Sequence, residues 1–401
     1  MIGDGISAGV VAALREQAGA RLQFTLGAPV PGFANLAQAL AAFPTTPLAG
    51  AVEGSDMLYS SGTSGFPKGI KPALTGLPLG TTALNADFMA RGFGVSASSV
   101  YLSPTPYYHA APLKWVFGVL TLGGTAVLAQ RFDAEGMLRA IERYRVTHTQ
   151  SVPTMFHRLL SLPDEVKAKY DLSSHQVAVH AAAPCPIPTK QAMIDWWGPI
   201  IFEYYSCTEG IGITFTDSKS WLAHPGTVGR ALYGSLHIVD EAGEEAPAGQ
   251  EGLVYFSGTH PFSYHNDPAK TREAYDARGW ATVGDIGRVD ADGFLYLTDR
   301  KSNMIITGGV NVYPQETENV LITHPKVFDV AVIGTPHEDL GEEVRAVVQL
   351  EPGIEASPAL AQELIAFCRA QLSPIKSPRV VDFRDSLPRE PNGKLLKRLL
   401  R

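Results

Sequence analysis

Short apolar runs alternate with amphipathic segments through the middle of the chain. Four runs have the length of a strand, and three segments between them have the period of a helix. The runs are GTAVLAQ (124–130), VTHTQSV (146–152), QVAVHAA (176–182) and PIIFEYY (199–205), and the helical segments cover 133–145, 153–161 and 187–197. A repeated strand–helix order predicts an α/β fold with a doubly wound, mostly parallel sheet.

In a doubly wound sheet, ligands bind beyond the carboxyl ends of the strands. The segments that follow three of the predicted strands are 151–153, 182–185 and 206–210. We therefore expect these three segments to face one crevice, and we look there for functional side chains.

Beyond residue 224 the strand–helix alternation gives way to a different sequence pattern. Residues 225–298 contain glycine-rich, hairpin-like pieces, which predict a small β-barrel-like subdomain of antiparallel strands. The polar run Asp299-Arg300-Lys301-Ser302 then precedes a compact α+β segment that includes VFDVAVIG, VRAVVQLE and a helix near 357–371. We predict a domain boundary at this run, which gives domains of 1–299 and 300–401.

Composition and charge narrow the functional classes. The chain has 401 residues, 45% of them apolar and 18% charged, with a net charge of -7. An acidic chain of this kind favours small-molecule chemistry over nucleic-acid binding. Cys185, Cys207 and Cys368 are too few and too scattered for a disulfide framework. With neither a leader pattern nor an apolar run of membrane-spanning length, we expect a cytoplasmic protein without an integral membrane segment.

The most informative motif is YSSGTSGFPKG at 59–69, which follows a short apolar strand. Its glycines allow backbone N–H groups to surround an anion, its hydroxyls add donors, and its lysine adds positive charge. The candidate phosphate-binding residues are Ser60, Ser61, Gly62, Thr63, Ser64, Gly65 and Lys68. A Walker A loop is excluded because Pro67 and Gly69 flank the lysine. The alternative is a flexible Ser/Gly linker.

Seven further motifs follow this loop in order. They are PYYHAAP (106–112), HAAAPCP (180–186), YYSCTEG (204–210), PGTVGR (225–230), GWATVGD (279–285), YLTDRKSNMIITGGVNVYPQE (296–316) and LPREPNGKLLKR (387–398). Over residues 50–401 the chain thereby resembles the adenylate-forming superfamily of acyl-CoA synthetases, aryl-CoA ligases, luciferases and peptide-synthetase adenylation domains. The resemblance implies an adenylation domain over 1–299 and a smaller, mobile C-terminal domain over 300–401.

The resemblance implies an ATP site built from these motifs. Ala182, Ala183 and Pro184 would line the adenine pocket, and Tyr205 would stack on the base. Asp285 would accept both ribose hydroxyls, and Arg300 would be its ribose or phosphate partner. Thr208 and Glu209 would lie near the α-phosphate, with Glu209 holding Mg²⁺. A carboxylate just past a strand end is suited to a hard cation that bridges phosphates. The alternatives without a binding role are a solvated turn residue for Glu209 and a surface ion pair for each of Asp285 and Arg300.

The resemblance also implies a two-step reaction with a moving domain. Lys394 would counter the charge that develops when a carboxylate oxygen attacks the α-phosphorus. The C-terminal domain would then rotate about the run near Ser302, where relatives usually have Asp or Lys. After the rotation, Gly308 and Gly309 would lie close to the pantetheine arm of coenzyme A. Without the family match, Lys394 would be one cation of a solvated basic face with Lys397, Arg398 and Arg401.

Less is implied about the acid. His109 resembles a residue that borders the acyl pocket, and Ser206 stands where many relatives have a glycine in the pocket floor. No acidic residue at 106–117 suits an α-ammonium group, so elimination leaves a fatty or aromatic acid. Cys207 lacks an evident histidine partner, which favours a small buried role over a nucleophilic one.

The expected function is therefore AMP-forming ligation of a carboxylic acid to coenzyme A, with ATP and Mg²⁺ as the other requirements. Only 56 residues precede Met57, so we expect an adenylation domain that is truncated at its start. This shortness leaves a second hypothesis open, namely a weakly active or inactive nucleotide- or acyl-binding remnant. A carrier-protein thiol instead of CoA and a homodimer also stay open.

Overall fold

The computed structural model describes residues 22–26, 30–46, 48–60, 68–80, 84–389 and 395–400. Their contacts define two compact units, Met1–Glu53 with Gly76–Thr81, and Gly54–Thr75 with Thr82–Arg401. In the first unit, β1 (Phe24–Thr25) pairs in parallel with β2 (Ala34–Asn35), which leads into α1 (Leu36–Leu40). The second unit contains the elements described below.

A seven-stranded sheet forms the centre of the second unit. Its strands are β5 (Val100–Ser103), β6 (Thr125–Leu128), β7 (His148–Ser151), β8 (Val177–His180), β9 (Ile201–Tyr205), β10 (Ile213–Asp217) and β11 (Arg230–Tyr233). Their order is β11-β10-β9-β8-β7-β5-β6, and β5 to β9 pair in parallel. The predicted α/β fold with a mostly parallel sheet is confirmed.

Helices cover both faces of this sheet. They are α2 (Leu84–Phe93), α3 (Ala110–Thr121), α4 (Ala134–Tyr144), α5 (Pro153–Leu160), α6 (Asp164–Lys167), α7 (Ile187–Trp197) and α8 (Ser218–Ala223). Leu102, Ala178 and Ile201 pack with α4, α5 and α7 in one core, whereas Tyr101 and Val179 pack with α2 and α3 in another. Two cores on opposite faces make the sheet doubly wound, as the sequence predicts.

Antiparallel strands follow, as the glycine-rich region predicts. β12 (Ser235–Val239), β13 (Gly252–Ser257), β15 (Asp285–Val289) and β16 (Leu295–Arg300) form one sheet, and β3 (Leu58–Ser60), β4 (Lys68–Pro72) and β14 (Phe262–Tyr264) form another, with α9 at Pro268–Glu273. The expected barrel needs correction, because the strands described here form two open sheets and no closed barrel. Hairpin turns of this kind are equally compatible with both arrangements, so the local pattern did not decide between them.

The last segment has its own core. It contains β17 (Ile305–Thr307), β18 (Val310–Val312), α10 (Pro314–Leu321), β19 (Val327–His337), β20 (Gly341–Leu350), α11 (Pro358–Arg369) and β21 (Val380–Phe383). A cluster of buried side chains drawn from 305–381 holds these elements together. The domain boundary between 299 and 300, and the mobility of the second domain, stay predictions. Within the described ranges, no helix is long and apolar enough to cross a membrane.

Three buried histidines lie in or beside the central sheet. Burial lowers the pKa of His148, lowers that of His180 well below its ordinary value, and lowers that of His175 to about 3. The unfolded chain therefore binds more protons than the folded chain below about pH 6.5, so stability falls as the pH falls. We expect His175 and His180 each to lower the free energy of unfolding by about 1 kcal/mol at pH 5.5, with a further contribution from His148. The Tm should then drop by roughly 3 °C between pH 7.5 and 5.5.

Thermal unfolding followed by circular dichroism checks this pH dependence. The variant His175→Gln should lessen the loss of Tm, whereas His260→Gln, at an exposed position, should leave it unchanged. A Tm that is flat from pH 7.5 to 5.5 would contradict the assignment of these histidines as neutral buried groups.

Candidate active site

Three candidate segments leave the central sheet at the same edge. Strands β7, β8 and β9 run in parallel, and the last residues of the first two are register partners, Ser151 with His180. The chain segments that follow them therefore begin side by side, as the predicted crevice requires. His109 follows β5, another parallel strand, and precedes the first residue of α3.

The proposed adenine loop has an unusual backbone. Ala182 has φ 74°, in the left-handed region that costs a residue with a Cβ roughly 1–2 kcal/mol. Ala182, Ala183 and Pro184 are exposed, whereas Ala181 is buried and its N–H donates to the carbonyl oxygen of Ser151 at 3.3 Å. The loop thus starts from a buried, hydrogen-bonded residue and presents an open surface at the crevice. Backbone strain of this kind is concentrated at ligand-binding positions.

Tyr205, Asp285 and Arg300 form one chain of polar contacts. The Tyr205 hydroxyl donates to Asp285 Oδ2 at 2.6 Å, and Arg300 Nε donates to Asp285 Oδ1 at 3.0 Å. Asp285 begins β15 and Arg300 ends β16, where the two are register partners. The Asp285 carboxylate raises the pKa of Arg300, and burial together with this carboxylate raises the pKa of Tyr205. Asp285 is therefore an oriented, largely buried anion at the end of β9.

Lys68, Tyr264 and Glu209 form a second series of side-chain contacts. The Tyr264 hydroxyl donates to Glu209 Oε1 at 2.8 Å, and Lys68 Nζ lies 5.3 Å from the centroid of the Tyr264 ring. Sequence reasoning missed Tyr264, because its approach to Lys68 depends on the pairing of β14 with β4, where Tyr264 lies opposite Ile70. No local signal in residues 260–267 indicates this contact.

Cys207 and Tyr205 pack against the core cluster that contains Tyr264. Asp285 is bound to Tyr205 and Glu209 to Tyr264, so the two carboxylates lie beside one core. Burial raises the pKa of the Cys207 thiol, and the negative charges of Glu209 and Asp285 raise it further. A thiol held in its protonated form is a poor nucleophile, which supports the small buried role expected for Cys207.

The other residues of the turn after β9 have local contacts. The Ser206 hydroxyl donates to the carbonyl oxygen of Gly212 at 2.9 Å, which turns this side chain toward the backbone. Thr208 is half-buried between its two neighbours of the YYSCTEG motif. His109 has its ring centroid 4.6 Å from that of Tyr108. The expected acyl-pocket role of Ser206 and His109 stays a prediction.

Gly308 and Gly309 occupy the hairpin turn between β17 and β18. Their φ values are 56° and 79°, and two successive positive φ values are typical of a two-residue turn that favours glycine. The turn alone therefore explains both glycines, and their proposed proximity to a pantetheine arm is a separate prediction. Ser302 is exposed in the 3₁₀ helix Lys301–Asn303, and its role as a hinge stays a prediction.

Six of the predicted site residues lie outside the described residues. Five belong to the phosphate loop and the sixth is the expected catalytic lysine: Ser61, Gly62, Thr63, Ser64, Gly65 and Lys394. The ends of the phosphate loop are described, and the register places the backbone of Ser60 opposite Lys68. On either side of 390–394, Arg389 pairs with Leu395 in an antiparallel bridge. Both segments are therefore bounded by paired backbone.

The described flanks of residue 394 are held by ion pairs. Arg389 binds both carboxylate oxygens of Asp329 at 2.6 Å, and Lys397 Nζ lies 2.7 Å from Glu318 Oε1. Lys397 is thus a largely buried partner of a carboxylate. It is not a member of a solvated basic face, which corrects that alternative reading for this residue.

A site for Mg²⁺ can be tested against the side chains present. The described residues hold no group of three or more His, Cys, Asp or Glu side chains that could hold a metal ion on their own. Mg²⁺ bound with a nucleotide needs only one or two carboxylates in addition to phosphate oxygens and water. Glu209, with Oε1 fixed by Tyr264, meets that requirement.

The Tyr264 hydroxyl can be tested directly. We expect Tyr264→Phe to weaken Mg²⁺-dependent ATP binding by about 10-fold, since a hydrogen bond to a charged group contributes roughly 1.5–3 kcal/mol. Calorimetric titration with and without Mg²⁺ checks this effect. Tyr275→Phe, which loses hydroxyl contacts to the Phe262 backbone only, is the matched control. Equal Mg²⁺ dependence in wild type and Tyr264→Phe would remove Tyr264 from the site.

Family models match most of the chain. Residues 39–264 match the AMP-binding enzyme model, and residues 316–394 match the AMP-binding enzyme C-terminal domain. The chain belongs to the AMP-binding enzyme family. The candidate adenine loop and the turn after β9 both lie within the first match, and the segment around Lys397 follows directly after the second.

Curated relatives of this AMP-binding enzyme are acyl-CoA synthetases and CoA ligases. The putative acyl-CoA synthetase YngI of Bacillus subtilis is 34% identical over 355 residues, which are 86% of this chain and 62% of that protein. The 2-succinylbenzoate–CoA ligase of Bacillus licheniformis is 31% identical over 350 residues, 87% of this chain and 70% of that protein. The chain spans 62% to 66% of the length of the first three relatives.

Solved structures agree with this AMP-binding fold. ATP-bound MatB from Rhodopseudomonas palustris has a TM-score of 0.75 at 31% identity, covering 86% of this chain and 67% of that one. The amide bond synthetase McbA from Marinactinospora thermotolerans has a TM-score of 0.81 at 29% identity, covering 98% and 77%. The fold is thus one that binds ATP in a relative.

Proposed function

We propose that this AMP-binding enzyme ligates a carboxylic acid to coenzyme A through an acyl-adenylate. One observation carries the proposal: Tyr205 and Cys207 pack against the core cluster that contains Tyr264, so the Tyr205–Asp285–Arg300 contacts and the Tyr264–Glu209 contact lie beside one core. The Tyr205–Asp285–Arg300 contacts suit a nucleoside, and Lys68 with Glu209 suits a phosphate tail with its cation. The relatives named as ligases of succinylbenzoate, long-chain fatty acids and ferulic acid support this reaction class.

The proposed first step is adenylation. A carboxylate oxygen of the acid attacks the α-phosphorus of ATP, and the bond to pyrophosphate breaks. Asp285 would accept hydrogen bonds from the ribose hydroxyls, because each of its oxygens keeps a lone pair beyond the bonds to Tyr205 and Arg300. Glu209 would hold the Mg²⁺ that neutralises charge on the phosphates. Lys394 would stabilise the negative charge that builds up as pyrophosphate departs.

The proposed second step is thioester formation. The sulfur of coenzyme A bonds to the acyl carbon and its proton passes to solvent. The bond from that carbon to the phosphate oxygen breaks, and AMP leaves with the electron pair. This step needs no protein nucleophile, in agreement with the raised pKa of the half-buried Cys207 thiol. Since amide bond synthetase McbA has the same fold, an amine is another acceptor worth assaying beside CoA.

We propose an apolar acid, fatty or aromatic, as the substrate. The acyl side of the site would lie near His109 at the start of α3. Tyr107 and Tyr108, beside His109, are exposed aromatic side chains. The described residues at 106–117 include no carboxylate that could pair with a charged amine, which favours an apolar acid.

ATP–pyrophosphate exchange with a panel of fatty and aryl acids tests this function. We expect Mg²⁺-dependent exchange with at least one acid, followed by acyl-CoA formation when CoA is added. ATP binding without exchange for any acid would favour the binding-protein alternative. Neither binding nor exchange would overturn the proposal altogether.

A further inference from the structure

A buried polar row crosses the central sheet beneath the adenine loop. Ser151, His180 and Glu203 are register neighbours on β7, β8 and β9, and their exposed fractions are 0%, 0% and 5%. Register partners on parallel strands project to the same face of a sheet. This face is the one that carries Ala178 and Ile201 into the core under α7. The row is therefore inaccessible to a substrate.

A lysine from α7 completes the row. Lys190 is fully buried, with Nζ 2.6 Å from Glu203 Oε2, and His180 Nε2 lies 3.5 Å from the same oxygen. Burial raises the pKa of Glu203, while the charge and hydrogen bond of Lys190 act in the opposite direction. The surroundings are apolar, since the Trp221 ring centroid lies 4.9 Å from Lys190 Nζ.

An ion pair of this kind adds little net stability. Desolvation of two charges offsets most of their attraction, so apolar residues of similar volume often serve a core equally well. A positional role gives a buried pair a use that apolar packing lacks, because a short charged hydrogen bond fixes both the distance and the direction between two elements. The elements that Lys190 and Glu203 connect therefore decide what the pair does.

The pair connects α7, which follows the adenine loop, to the strand that carries Tyr205, and His180 at the other end of the loop lies beside the pair without a hydrogen bond to it. His180 directly precedes Ala181, and Lys190 lies in the first turn of α7, where its N–H donates to the carbonyl oxygen of Pro186 at 3.0 Å. Glu203 is two residues before Tyr205 on β9. Ala182, with φ 74°, also needs surroundings that hold it in place.

We propose that the Lys190–Glu203 ion pair, with His180 beside it, positions the 181–184 loop relative to Tyr205 and so sets the width of the nucleotide slot. The proposal rests on the proposed function, because it assumes that this slot takes adenine. The pair touches no substrate, so its members are positioning residues. Its loss should affect nucleotide affinity much more than turnover.

The test compares a single and a double variant of the 401-residue chain. Lys190→Met leaves Glu203 buried without its partner, whereas Lys190→Met/Glu203→Gln removes both charges. We expect both variants to raise the Kd for AMP and the KM for ATP by roughly 10-fold or more, with the kcat of exchange within about threefold of wild type. The double variant should recover the Tm that the single variant loses and should keep the weakened affinity.

Met193→Ala is the matched control on the same helix. Met193 is fully buried in the core under α7, so its truncation lowers Tm through a cavity without touching the ion pair. Below its Tm, this variant should bind AMP like wild type. If the double variant recovers affinity with Tm, or if Met193→Ala weakens AMP binding as Lys190→Met does, the pair is only structural and the inference is overturned.

Calorimetry with AMP separates the two levels of the account. A wild-type chain that binds neither AMP nor ATP overturns the proposed function and this inference with it. Wild-type binding that the Lys190 variants leave unchanged overturns the positioning role alone.

Discussion

Replacing Lys394 by alanine is expected to slow acid-dependent ATP–pyrophosphate exchange by about 100- to 1000-fold, the range for losing one group that stabilises transition-state charge. Lys394 itself lies outside the described residues, but its flanks are held by the Arg389–Asp329 and Lys397–Glu318 pairs. Initial-rate exchange assays with saturating ATP measure the effect.

A nearby cation and a second assay make this prediction specific. Arg398 is exposed and four residues away, so Arg398→Ala should leave exchange within about threefold of wild type. Lys394→Ala should still convert supplied acyl-AMP and CoA into thioester, since that step does not build charge on pyrophosphate. A variant that keeps wild-type exchange, or loses both half-reactions equally, would remove Lys394 from the proposed role.

The second large effect is expected at Asp285. Asp285→Asn should weaken the binding of AMP and ATP by roughly 10- to 100-fold, because hydrogen bonds to a charged partner contribute about 1.5–3 kcal/mol. The asparagine amide would also present a donor to a hydroxyl or guanidinium that now donates to Asp285. Titration calorimetry with each nucleotide gives the change in Kd.

Asp290 provides the control on the same hairpin. It lies at the turn end, where it accepts hydrogen bonds from the Phe294 backbone and the Tyr296 hydroxyl, whereas Asp285 lies at the open end. Asp290→Asn should lower Tm and leave nucleotide affinity alone. Equal affinities for Asp285→Asn and wild type would show that the Tyr205–Asp285–Arg300 chain is a structural feature of the sheet only.

The sequence predicted those elements that local pattern determines. Apolar runs and helical segments between 124 and 205 correspond to β6 to β9 and to α4, α5 and α7. Asp285 and Arg300 were candidates from the motifs, although only the structure shows that they are register partners bound to Tyr205. Periodicity reports which side of an element is buried, and it contains no information about which distant side chain lies opposite.

The missed residues all depend on distant contacts. Tyr264 donates to Glu209, 55 positions away in the sequence, and lies opposite Ile70 on β4. Lys190 looks like an ordinary polar residue of a helix until α7 packs on β9 and buries it against Glu203. The same limitation applies to Lys397, whose ion pair with Glu318 no basic-face pattern could indicate. Hairpin signals in the sequence likewise do not distinguish open sheets from a closed barrel.

The central claim is that Glu209 and Asp285 serve one Mg²⁺–nucleotide site, and calorimetric titration of AMP and of ATP, each with and without Mg²⁺, tests it most directly. We predict one binding site per chain in wild type. Asp285→Asn should weaken both nucleotides, whereas Glu209→Gln should abolish the gain in ATP affinity due to Mg²⁺ and leave AMP binding unchanged. A Mg²⁺-dependent gain that persists in Glu209→Gln, together with wild-type AMP affinity in Asp285→Asn, would contradict the account.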